Sequence, residues 1–80
     1  MSVKIVFLGP LRDQSGRTEQ ETAAPLDWGG LLAAVGEAVA EQLRDARVHV
    51  ACSGRVLPDK TTLAAEDGDE VALLPPVSGG

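Results

Sequence analysis

The sequence predicts a two-layer α+β domain in which a mixed sheet packs on one main helix. Three observations carry that expectation. Apolar strand-like runs stand near both ends, Val3 to Leu8 and Glu70 to Leu74. Between them, Leu31, Leu32, Val35, Val39 and Leu43 recur at helical spacing and form one apolar stripe. The chain has 80 residues, 44% of them hydrophobic, which is enough for one core and one domain.

The first run is apolar and β-branched, and Lys4 interrupts one face only, so it reads as a central strand. GPLRDQSG follows, with Gly9, Pro10 and Gly16 as punctuation, and reads as a loop. Thr18 to Ala23 is mostly polar and reads as an edge strand paired back on the first. Asp27 can cap the helix, because its carboxylate accepts from backbone N–H groups that the first turn leaves unpaired. Gly36 is expected to split the helical segment in two.

VHVACSGRVL then reads as a hairpin. Val48, Val50 and Cys52 share one face, Ser53-Gly54 makes the turn, and Arg55 to Leu57 returns. Pro58-Asp59-Lys60 ends that strand, Leu63 is a buried plug, and Asp67-Gly68-Asp69 turns into the last strand. This order, with first and last strands side by side, fits a β-grasp. The domain is expected to span residues 1–74, and residues 75–80 form a flexible C-terminal tail.

Composition narrows the function. Seven basic residues are scattered against twelve acids, giving a net charge of −5, which disfavours nucleic acid and anionic membranes and favours a basic protein surface. A lone cysteine, Cys52, forbids an internal disulfide and fits the reducing cytoplasm. No signal peptide and no apolar run of membrane-spanning length is expected.

The tail, Pro75-Pro76-Val77-Ser78-Gly79-Gly80, has its own chemical logic. Two prolines lack N–H groups and hold the backbone extended. Six extended residues reach up to about 20 Å from the domain. The final glycines carry no Cβ, so bare backbone can enter a channel too narrow for side chains. A terminal carboxylate becomes reactive once ATP converts it to an acyl adenylate, which a sulfur or amine nucleophile then attacks.

The residues VKIVFLGPLRD, LLAAVGEAV, VHVACSGRVL and above all DGDEVALLPPVSGG resemble the small, sulfur-carrying subunit of molybdopterin synthase, a ubiquitin-like β-grasp family. The resemblance covers nearly the whole chain. It implies that Gly80 is adenylylated by an activating enzyme and converted to a thiocarboxylate, with Gly79 giving access. The chain itself binds no cofactor, and the partner enzyme consumes the ATP. The tail would enter the large synthase subunit, in a heterotetramer, and donate sulfur to a pterin precursor. The chain would thus be a sulfur-donating subunit without catalysis of its own. By position, the resemblance implies that Arg12, Val56 and Leu74 face the partner, with Phe7 beside them and Pro75, Pro76, Val77 and Ser78 threading into it. Gly9-Pro10 and Asp13 depart from the family's usual loop pattern.

Other readings stand beside this one. The same tail suits a sulfur carrier for thiamine, cysteine or tRNA thiolation, a ubiquitin-like modifier of proteins, or a passive binding module. Cys52 reads as a small buried hydrophobe rather than a relay, and His49 as an ordinary strand residue. Glu66, Asp67, Asp69 and Glu70 lack the spacing of a calcium loop and read as a solvated turn. No metal site is expected. Trp28 reads as a packing anchor.

Overall fold

The computed structural model describes residues 1–76. In chain order the elements are β1 (Ser2–Phe7), α1 (Pro10–Ser15), β2 (Glu19–Ala23), β3 (Leu26–Asp27), α2 (Trp28–Val35), α3 (Glu37–Leu43), β4 (His49–Cys52), β5 (Arg55–Val56), a 3-10 turn (Lys60–Thr62), β6 (Ala64–Ala65) and β7 (Glu70–Leu74). Five strands make one mixed sheet in the order β2-β1-β7-β4-β5. β1 and β7 run parallel at its centre, and the other neighbours pair antiparallel. This is the β-grasp arrangement, with the helices packed on one face.

Strand parity decides what reaches the core. Val3, Ile5 and Phe7 alternate inward, and the register sets Ile5 opposite Val71 and Phe7 opposite Leu73. Val50 pairs with Leu73 and completes the inner face. Leu31, Val39 and Leu43 of the helices are buried against it, with Leu32 and Val35 packed at the margin. Leu63 is buried in the core, as expected.

The local signals act as the sequence suggested. Asp27 Oδ1 accepts from Gly30 N at 2.8 Å and caps α2. Gly36 adopts φ 87°, which a residue with a Cβ rarely tolerates, and separates α2 from α3. Gln20 Nε2 donates to Ala34 O at 2.8 Å, which ties the edge strand to the end of α2. Ser53 and Gly54 both take positive φ, the geometry of a tight hairpin turn matched to strand twist.

Three features differ from the expectation. The segment read as a loop holds α1. Pro10 occupies the first helical turn, where a missing N–H costs nothing, Gly16 ends the helix left-handed, and buried Leu11 pins it to the core. β3 and β6 add a two-residue ladder, Leu26 opposite Ala65, too short to show any periodicity. The return strand ends at Val56, although Leu57 N still donates to Val50 O at 2.9 Å.

Candidate functional site

The outer face of the sheet is apolar at one end. Residues that alternate out of the core there are Val6 on β1, Ala72 and Leu74 on β7, Ala51 on β4 and Val56 on β5, with exposed His49 of β4 opposite Leu74 at the margin. The register joins them: Val6 opposes Ala72, Ala72 opposes Ala51, and Ala51 opposes Val56. Val56 is 52% exposed and Leu8, just beyond β1, is 40% exposed. Towards the other end the face turns charged, with Lys4 opposite Glu21 and Glu70, and a Lys4–Glu19 ion pair at 4.0 Å. The face therefore has an apolar half and a polar half, and the apolar half lies beside the C-terminal end of β7.

The tail leaves from that edge. His49 opposite Leu74 is the last pair of β4 with β7. Pro75 and Pro76 have no N–H to continue either ladder, so the strand stops there. Pro75 is half-buried, and a groove between Pro10, Leu11, Arg47, Pro75 and Pro76 runs beneath this exit. Arg47 is held by Asp45, whose carboxylate accepts from its Nη2 at 2.9 Å and its Nε at 3.2 Å. The hydrogen bonds from the Arg47 side chain, then from its backbone N–H, lower the Asp45 pKa to about 2.

The structure places Val56 and Leu74 on the same outer sheet face, Val56 joined to β7 through Ala51 and Ala72, with Pro75 and Pro76 following Leu74; Arg12 is exposed on α1, and its backbone N–H donates to Gly9 O at 3.0 Å. Phe7 is a correction. It is 1% exposed, because the parity that points Val3 and Ile5 inward carries Phe7 with them. Val6 and Leu8, its neighbours in sequence, supply the outward surface instead, and no reading of the sequence had singled them out. Val6 is identified by parity, since it stands opposite Ala72, two positions before Leu74 on the same face of β7. Val77, Ser78, Gly79 and Gly80, the segment expected to carry the chemistry, lie outside the described residues.

Other candidates prove structural. Cys52 is partly buried with Sγ 3.9 Å from Asp69 Oδ2; burial first, then the Asp69 charge, pushes its thiol pKa up, so thiolate is disfavoured. Asp69 accepts from Glu66 N at 2.8 Å and Ser53 Oγ at 3.0 Å, and those bonds hold its pKa down. Asp67 accepts from Ser2 N at 2.8 Å, so half of the acidic turn is engaged in closing the fold. His49 is exposed on β4. Trp28 packs against the core, and the Lys60 ammonium sits 5.9 Å from its ring centre. Among the described residues, no helix is long and apolar enough to cross a membrane.

Fold and site together define the class, a ubiquitin-like β-grasp carrier with an apolar sheet face beside a diproline exit. A family model described as the ThiS family matches residues 5–80, and the chain belongs to that family of sulfur carriers. Three solved structures are similar over the whole chain. SAMP1 from Haloferax volcanii is 26% identical, with TM-score 0.77 and 100% of both chains covered. The HVO 2177 protein of Haloferax volcanii is 27% identical, with TM-score 0.76, covering 100% of this chain and 87% of that one. One chain from a complex of subunits 1 and 2 of molybdopterin-converting factor from Helicobacter pylori is 28% identical, with TM-score 0.66, covering 100% of this chain and 100% of that one. A comparison with curated protein sequences gives no match.

Proposed function

We propose that this protein is the small subunit of a molybdopterin synthase and carries sulfur as a thiocarboxylate on Gly80. The carboxylate attacks the α-phosphate of ATP on an activating enzyme, pyrophosphate leaves, and an acyl adenylate forms. A sulfide-level nucleophile then replaces AMP at the acyl carbon. The large subunit takes up the tail, and the sulfur passes to a pterin precursor. One observation carries the reading: the apolar half-face of Val6, Ala51, Val56, Ala72 and Leu74 ends at the diproline exit of a ThiS-family chain. A partner seated there holds the tail entrance beside its own active site. The likeness to a subunit 1–subunit 2 complex supports a large-subunit partner.

Intact mass after incubation with the activating enzyme, ATP and a sulfur source tests this. A single sulfur-for-oxygen exchange localised to Gly80 is expected, and deletion of Gly80 removes it while the fold stays intact. Unchanged oxygen at Gly80 under these conditions would sink the carrier reading.

The likeness to SAMP1, a small archaeal modifier protein, favours a second reading as a protein modifier. That reading expects higher-mass conjugates resistant to reducing agent. Sulfur delivery to another pathway expects thiocarboxylate formation with no transfer to the pterin.

A further inference from the structure

The end of β1 contains a contact that the family chemistry does not explain. Gly9 adopts φ 56° and ψ −134°, a region closed to residues with a Cβ. A Cβ built on Gly9 would stand 3.2 Å from Pro75 Cγ, closer than side chains ordinarily approach. The same residue receives the Arg12 N–H on its carbonyl, which ties the seat to α1. Pro75 is half-buried there, with Pro10, Leu11 and Arg47 lining the groove beyond.

We infer that Gly9 is a positioning residue for the tail: its bare Cα forms a seat on which the Pro75 ring rests, and that seat sets the direction in which the chain leaves the sheet. The inference deepens the carrier reading and rests on it, since direction matters only if the terminus must reach another enzyme's catalytic atoms. The physical reasoning is short. Pro75 has one backbone torsion fixed by its ring, so fixing the ring's contact fixes the start of the following residues. An alanine at position 9 fills the seat and strains the loop together. The Pro75 ring must then shift, and the direction in which Pro76 leads the chain away shifts with it. Leu8 and Leu74 adjoin the seat in sequence, but Val6, Ala51, Val56 and Ala72 do not meet it, so most of the apolar docking face is retained.

The test combines kinetics with a structural readout on the full chain. Pyrophosphate release is followed with the protein's own activating enzyme and ATP for the wild type, Gly9→Ala, Pro75→Ala and the double variant. Gly9→Ala is expected to lower kcat by about tenfold or more, since small misplacements at a reacting centre have large effects. KM should stay within about twofold, because binding through the sheet face is retained. Gly9→Ala and Pro75→Ala remove the same contact, so their losses should not multiply, and the double variant should turn over about as fast as the slower single variant. An unchanged kcat in Gly9→Ala, a loss confined to KM, or losses that multiply in the double variant overturns the seat. If Gly9→Ala does not fold, Pro75→Ala alone must still lower kcat at constant KM, or the inference fails. Independently, the free wild-type protein should show a proton NOE between Gly9 Hα and Pro75 Hγ, and its absence also overturns the seat. If the wild type itself is never adenylylated, the carrier reading fails and the role in aiming the tail falls with it. The NOE then reports whether the contact exists as structure only.

Discussion

The two faces of this sheet are made from interleaved residues of the same strands, yet they have opposite fates. Phe7 and Leu73 point inward and are sealed against the helices; Val6 and Leu74, one position away, point outward. Both faces are apolar near the tail, but only one has helices packed on it. Burial of the inner face removes apolar surface from water and stabilises the fold at about 25 cal/mol per Å². The outer face is only partly covered in the isolated chain, with Val56 and Leu8 left exposed. Its retained apolar character makes sense as a surface that another protein covers.

Substitutions on each face break this contrast if it is wrong. Phe7→Ala should cost about 3–5 kcal/mol in urea denaturation, since it empties a fully buried site. Val56→Asp should change stability by less than about 0.5 kcal/mol, as exposed positions do. In a titration with the proposed large-subunit partner it should weaken binding by at least about tenfold, because a charge is then buried at the contact. Equal stability losses at both positions would mean that the outer face also holds the fold together.

Smaller effects sharpen the picture on the helix side of the molecule. Lys60 Nζ donates to the carbonyl of Val48 at 2.8 Å and to that of Asp45, while lying over Trp28. Burial pulls its pKa down, and the Asp45 charge acts against that. Lys60→Met should destabilise by about 1–3 kcal/mol, because two carbonyls lose their donor. Asp27→Ala removes the cap of α2 and should cost about 0.5–2 kcal/mol, read as a lower urea midpoint.

The smallest effect concerns acid. Asp45 has a folded pKa lowered from 3.8 to about 2, so the folded state binds fewer protons than the unfolded one in that interval. Its contribution is complete above the unfolded value and is lost as pH falls through about 2. Urea midpoints of the wild type should therefore decline from pH 4 towards pH 2 more steeply than those of Asp45→Asn. Parallel curves would show that the exposed Arg47 pair is immaterial, as exposed pairs often are.

Much of this was legible in the chain because it depends on neighbours in sequence. The last strand, the Ser53-Gly54 turn, the Asp27 cap and the Gly36 break each follow from local backbone preference. The α1 helix was missed because six residues show no periodicity, although Pro10 at its start and Gly16 at its end are the usual marks of a short helix. The β3–β6 ladder was invisible because two-residue strands exist only through each other. Phe7 went to the wrong face because a strand's apolar run does not announce its parity when both of its faces are apolar.

By itself the sequence determined the succession of the main strands and helices along the chain and the cap and turn positions, all set by torsional preference and hydrophobic period over a few residues. The tertiary structure alone decided which apolar residues are core and which are surface, where Lys60 finds its carbonyls, and that Gly9 meets Pro75 across 66 positions of chain. Those outcomes depend on the pairing of distant strands. Parallel alignment of β1 with β7 brings the two strand ends together, and no local preference encodes that meeting.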